Sequence, residues 1–253
     1  MAITDLIAIP KDLNPGVSSA KQITMLTLLG NPRGTYDQTC RPVQNAALLP
    51  LIVTETVGPL RVTGLRPAIE SLRKVLEDIK QEQPEVHAAL GTAGMHCARF
   101  VRNSTTTISN HSWGTAIDLT LQGKLDQRGD DRVQVGLARI APIFNHHGWF
   151  WGADFSTEDA MHFEASDETI RAWHASGLFG NTPKPQSEPV LSMGDRGPEV
   201  RKLQEKLNEH GAGLVVDGIF GRGTQAAVMA FQAANGLEVD GIVGRKTSTA
   251  LGV

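Results

Sequence analysis

The chain has 253 residues and a net charge of −3, with one fifth of its residues charged and no run of basic ones. That balance argues against a nucleic-acid partner, and no apolar stretch is long enough to cross a membrane. The length accommodates two domains of ordinary size.

The first sixty residues carry no catalytic pattern, and Pro10, Pro15, Gly16, Pro32 and Gly34 interrupt any long element there. This segment is expected to wrap the core that follows. The opening Met-Ala-Ile-Thr-Asp-Leu-Ile-Ala-Ile-Pro has no charged region ahead of an unbroken apolar stretch, so no secretory signal is expected. Pro67 opens a helix whose Ile69, Leu72, Val75, Leu76 and Ile79 form one apolar stripe, placed to pack against the sheet that carries the next motif.

That motif is S-N-H-S-W-G-T-A-I-D-L at 109–119, followed later by D-A-M-H-F-E at 159–164. Residues 116–120 alternate as a strand does, with Ile117 and Leu119 on one face and Ala116, Asp118 and Thr120 on the other. His162-Phe163-Glu164 reads as a second strand, with Phe163 toward the core and His162 and Glu164 opposite. His111, Asp118 and His162 together suit a single catalytic zinc ion, which takes nitrogen and oxygen ligands at roughly 2.0–2.2 Å and leaves one position open. Such an ion lowers the pKa of a water to about 7 and polarises a carbonyl, which is the chemistry of hydrolysis. His146-His147 reads as a helix C-terminus, where imidazolium favours the dipole. Trp149 and Trp151, with Phe150 between them, are candidates to line a substrate cleft, at least one of the three being core. The catalytic domain is expected to be α+β, with antiparallel strands carrying the ligands and flanking helices.

Residues 181–189 contain three prolines and no apolar stripe, and read as a semi-rigid linker. Beyond it, V-D-G-I-F-G-R-G-T (216–224) recurs as V-D-G-I-V-G-R-K-T (239–247), the mark of a repeated supersecondary unit. Each copy places a turn before a threonine expected to cap a helix, as Thr224 would. Val200, Leu203 and Leu207 supply an earlier amphipathic stretch, giving a small all-α module of three helices. The expected domains are 1–180, with 1–60 packed on it as an extension, and 190–253. Cys40 and Cys97 permit one disulfide, but in a reducing cytoplasm free thiols are expected.

The two motif segments resemble the D-alanyl-D-alanine carboxypeptidase family of zinc peptidases, a group that includes phage endolysins cutting L-alanyl-D-glutamate bonds. The resemblance makes His111, Asp118 and His162 the zinc ligands and Asp159 the general base, with neighbouring Glu158 as the competing carboxylate. It extends upstream to G-M-H-C-A-R-F-V-R-N-S (94–104), where Arg99 falls on the family's arginine, expected to steady an oxyanion or grip a substrate carboxylate. Arg102 is the fallback for that role, and Ser104 is a further candidate for substrate contact. The tail, with L-S-M-G-D-R-G-P-E-V-R-K-L-Q-E-K-L-N and A-F-Q-A-A-N-G-L in register, resembles the peptidoglycan-binding domain of wall hydrolases. The resemblances imply a monomeric, zinc-dependent hydrolase of peptidoglycan stem peptides, made in the host cytoplasm as an endolysin and acting on the wall. A D,D-carboxypeptidase of bacterial wall metabolism and an inactive wall-binding protein are the alternatives.

Overall fold

The computed structural model describes residues 1–180, 191–237 and 239–252, so the expected linker at 181–189 lies outside the described residues. The chain divides into two compact units, Met1–Pro185 and Gln186–Val253. Among the described residues no helix is long and apolar enough to cross a membrane.

The first unit runs β1 (Leu6–Ala8), α1 (Gln22–Leu29), β2 (Ile52–Val57), β3 (Leu60–Leu65), α2 (Arg66–Glu82), α3 (Pro84–Ala89), β4 (Leu90–Gly94), β5 (Ala116–Leu121), β6 (Arg132–Gln134), α4 (Val135–His146), β7 (Trp149–Trp151), β8 (His162–Ala165) and α5 (Asp167–Ala175). Its main sheet has the order β4-β5-β8-β7, antiparallel throughout. Period-2 alternation buries Ile117, Leu119 and Phe163. The Phe163 ring stacks on Phe144 of α4 at 4.1 Å and on Trp151 at 6.0 Å. Each such side chain contributes about 1.5–3 kcal/mol by burial, so this layer fixes the sheet that carries the site.

Helix α2 starts where Pro67 needs no amide partner, and Ile69, Leu72, Val75, Leu76 and Ile79 are all buried. Its partners differ from the expectation. The stripe packs mainly on the β2–β3 hairpin and α4, and α2 reaches the main sheet through Trp149 Nε1, which donates to Ser71 Oγ at 2.9 Å.

The proline-broken first segment still forms β1 and α1, because tertiary partners supply what local propensity lacks. β1 pairs with β6, Asn14 exchanges hydrogen bonds with the backbone of Trp151, and Trp113 Nε1 donates to the carbonyl of Gly30 at 2.7 Å. Cys40 and Cys97 are joined as a disulfide with Cα atoms 5.1 Å apart, in place of the expected free thiols. An antiparallel bridge between Arg41 and Ala98 brings the two cysteines side by side across 57 residues of sequence.

The second unit contains α6 (Pro198–Glu209), α7 (Arg222–Ala234) and α8 (Arg245–Leu251) around a core of Val200, Leu203, Leu207, Phe220, Val228, Phe231 and Val243. The duplication seen in sequence is also a duplication of hydrogen bonds. Gln204 Nε2 donates to Asp217 Oδ1, the Ile219 carbonyl and Thr224 Oγ1, while its Oε1 accepts from Gly218 N. Gln232 repeats this with Asp240, Ile242, Thr247 and Gly241. Thr224 is therefore not the cap: α7 begins two residues earlier, capped at Gly221, and the buried hydroxyl serves the glutamine instead.

Candidate metal centre

β5 and β8 pair with Asp118 opposite His162 and Ile117 opposite Phe163. Alternation across the pleat then sets Asp118 and His162 together on the face away from the aromatic layer. His111 arrives from one 3-10 turn, Asn110–Trp113, which ends at Gly114 with φ 68. A side chain at Gly114 would be strained at that φ and would put its Cβ 2.7 Å from the Leu65 amide, so the glycine of the motif is a requirement of the turn.

His111 Nε2 stands 3.1 Å from Asp118 Oδ1 and 3.2 Å from His162 Nδ1, and His162 Nδ1 stands 3.1 Å from Asp118 Oδ1. Three donors thus form a nearly equilateral triangle. Donors on bonds of about 2.0–2.1 Å at tetrahedral angles stand about 3.3 Å apart, so the triangle matches one face of a zinc tetrahedron. The outer ring nitrogens explain why the inner ones offer lone pairs. His111 Nδ1 faces the Met95 carbonyl at 3.2 Å and His162 Nε2 faces Glu164 Oε2 at 2.9 Å, so the neutral form of each ring, the form that binds a metal, carries its proton on the outside. Two imidazole nitrogens at 3.2 Å with both protons directed elsewhere make a poor hydrogen bond and a good ligand pair. The residues present fit the ion.

Glu164 is 2% exposed and fully partnered: Oε2 also accepts from Asn110 Nδ2 at 2.8 Å, and Oε1 accepts from Ser19 Oγ and the Ala20 amide. Burial raises its pKa, but the bonds from His162, Asn110 and Ser19 outweigh that and hold it ionised. Burial likewise lowers the His162 pKa, yet Asp118 and Glu164 on either side push it up to about 10. Burial opposes the charge on Asp118 as well, and the two histidines hold it below the ordinary carboxylate range. Asp118 and Glu164 thus favour positive charge where the three ligand atoms meet.

A cavity of about 320 Å³ opens over these ligands, lined also by Arg99, Arg102, Arg128 and Asp159. Asp159 sits where its carbonyl accepts the His162 amide at 3.0 Å, closing the turn that leads into β8; this is the physical content of the three-residue spacing. Its Oδ2 pairs with Arg128 Nε at 3.2 Å, whereas Oδ1 is buried without a partner among the described residues. Burial, reinforced by Asp118, raises the Asp159 pKa against the pull of His162 and Arg128. Glu158 lies outside the cavity lining, its oxygens taken by the amides of Gly129, Asp130 and Ala160. Arg99 is half-buried with Nη1 donating to the Phe100 carbonyl at 3.0 Å, and Arg102 is exposed at the rim.

Three of the expected substrate contacts lie elsewhere. Trp149 and Trp151 are buried core, their indole N–H groups spent on Ser71 Oγ and the Ala160 carbonyl, because the strand needs both faces covered. Ser104 is absent from the cavity lining; its Oγ accepts from the amides of Thr106 and Thr107 and shapes their turn. Arg128 and Glu164 are the residues that sequence reasoning left without roles. Alternation already placed Glu164 on the ligand face, but nothing local to Arg128 signalled that its loop returns to Asp159.

His111, Asp118 and His162 form a candidate metal site in an α+β unit, and the second unit is helical with a duplicated turn. Residues 102–165 match the family model described as D-alanyl-D-alanine carboxypeptidase, and residues 196–251 match that described as "Putative peptidoglycan binding domain". The first match spans His111, Asp118, Asp159 and His162 and begins just past Arg99. Among solved structures, the Burkholderia AP3 phage endolysin is 50% identical over 25% of this chain and 25% of its own, with a TM-score of 0.25. The SleB N-terminal domain is 42% identical over 26% of this chain and 90% of its own, with a TM-score of 0.25. A peptidoglycan-binding protein from Clostridioides difficile, in complex with glutamine hydroxamate, is 38% identical over 26% of this chain and 42% of its own, with a TM-score of 0.26. No curated protein matches the chain.

Proposed function

We propose that the chain is a zinc-dependent peptidase that hydrolyses the peptide stems of bacterial peptidoglycan, as an endolysin-type L-alanyl-D-glutamate endopeptidase. The donor triangle of His111, Asp118 and His162, at 3.1–3.2 Å on each edge, carries the reading. The two family matches support the peptidase class and the wall as substrate.

Zinc held by these three residues would polarise the scissile carbonyl and acidify the attacking water. Asp159 supplies the base: Arg128 occupies Oδ2, so the unpartnered Oδ1 is the atom that takes the proton and hands it to the leaving amine. Its raised pKa keeps the carboxyl a better proton acceptor than an exposed aspartate. Arg99, half-buried beside the ligands, orients the substrate through a carboxylate or steadies the developing oxyanion. Glu164 and Met95 hold the two imidazoles in the tautomers that binding requires.

The same arginine favours a second reading, since a guanidinium at the ligands also suits the terminal carboxylate of a D-alanyl-D-alanine stem. The masses released from purified peptidoglycan separate the two. Cut stems with alanine left on the glycan are expected; free D-alanine as the product moves the assignment to a D,D-carboxypeptidase, and no release by the zinc-loaded chain sinks both.

A further inference from the structure

Beside the cavity, and outside the zinc ligands, we propose that Asp126, Asp130 and Glu158 form a second cation site, and that its ion is calcium. Each offers one oxygen, and the three oxygens lie within 4.8 Å of one another. Oxygens bound to one calcium at about 2.3–2.6 Å can stand up to roughly 5 Å apart across it, so a single ion can meet all three.

The cluster differs from an ordinary acidic surface in its burial and its unmet acceptor. Asp126 and Glu158 are each 2% exposed. Asp126 Oδ2 accepts from the Gln134 amide at 2.7 Å, but Oδ1 is buried with no partner among the described residues. An unmet buried acceptor costs on the order of 1–3 kcal/mol, and more when charged, so Asp126 Oδ1 calls for a donor or a cation.

The charges point the same way. Burial, the largest cause, pushes the Asp126 carboxyl up to about 6 against the Gln134 bond, and the groups that add to it are all carboxylates: Glu158, Asp130 and Asp159. Glu158 stays held by the amides of Gly129, Asp130 and Ala160, which orient it while leaving it further acceptor capacity. An all-oxygen donor set selects a hard cation. Magnesium demands short bonds of about 2.0–2.1 Å in a strict octahedron, whereas calcium tolerates the wider spacing of these carboxylates and completes its shell with further carboxylate oxygens, carbonyls or water on the partly exposed Asp130 side, which favours calcium.

The site joins two segments that matter to the cavity. Residues 126–130 carry Arg128, whose Nε lies 3.2 Å from Asp159 Oδ2, and Asp159 directly follows Glu158. An ion bridging Asp126, Asp130 and Glu158 therefore braces the pairing of Arg128 with Asp159. The inference does not rest on the peptidase reading, since its readout is binding.

The test is isothermal titration of the full zinc-loaded chain with calcium chloride and, separately, magnesium chloride. One calcium per chain is expected, bound at least about tenfold more tightly than magnesium. Asp126→Asn and Asp130→Asn should each weaken calcium by about tenfold or more with zinc content unchanged, while Glu70→Gln, an exposed acid of α2, leaves it as it was. Absence of calcium binding in the unaltered chain, or unchanged affinity in both asparagine variants, overturns the site; equal affinity for magnesium overturns the choice of ion. Hydrolysis measured alongside tells failure of this site from failure of the peptidase reading.

Discussion

The two units treat buried polar groups in opposite ways. In the second, Gln204, Gln232, Thr224 and Thr247 are buried and bonded to one another's turns, twice over in the same pattern. In the first, the buried side-chain atoms without partners among the described residues are His96 Nε2, Asp126 Oδ1, Gln134 Oε1 and Asp159 Oδ1, and Asp159 lines the cavity over the three convergent ligands. Satisfied polar groups hold a shape; unsatisfied ones, kept that way by the rest of the fold, are available for ions and protons. The contrast separates a unit built to present a surface from one built to do chemistry.

The sharpest way to break the contrast is at the ligands. His162→Ala should take zinc, measured by elemental analysis, from one per chain to none and reduce hydrolysis to background; zinc retained at the native level would remove His162 from the centre. Next in size, Asp159→Ala should keep its zinc and lose at least about a hundredfold in rate, the low end of what a positioned acid–base group contributes. If Glu158→Gln lost that rate and Asp159→Ala kept it, the base would have to be reassigned against the geometry.

The helical unit is tested by removal and by its duplicated bonds. A chain ending at residue 185 should lose about a hundredfold on intact walls and nothing on a soluble stem peptide, since tethering raises effective concentration only at a polymer. An equal loss on both substrates would mean that this unit supports folding of the first. Gln204→Ala and Gln232→Ala should each destabilise the unit by about 1–3 kcal/mol, seen by calorimetry of the full chain, because each strands a buried threonine hydroxyl and a buried glycine amide. A neutral result at one site and not the other would show that the two copies have diverged in what they hold up.

The smallest effect expected is of pH on the N-terminal segment. Glu168 accepts from the amide and hydroxyl of Ser18, and Asp167 from the Lys21 amide and Arg171. Burial, the largest single cause, raises both pKa values, but the hydrogen bonds together, with that of Thr24 to Asp167, outweigh it and leave both depressed. A depressed carboxylate contributes stability that is present above its unfolded pKa of about 4 and lost as pH falls through the folded value. Hydrogen exchange should therefore show residues 18–21 loosening below about pH 4 ahead of β5 and β8. Uniform loosening of all three would remove the special role of this contact.

The sequence by itself determined what local chemistry dictates. Alternation set Asp118, His162 and Glu164 on one face of their strands; the stripe from Ile69 to Ile79 marked a helix; the repeated Val-Asp-Gly-Ile marked a repeated turn. The antiparallel register that puts Asp118 opposite His162 was decided only by tertiary structure, as was the folding of the proline-broken first segment onto Glu164 and Trp151. So were the burial of Trp149 and Trp151, the pairing of Cys40 with Cys97, and the return of the 126–130 loop to Glu158 and Asp159. Periodicity reports which way a side chain faces relative to its own backbone, because pleat and helix geometry are local. What it faces is set by segments tens of residues away, whose approach depends on the whole core closing and leaves no period in the sequence.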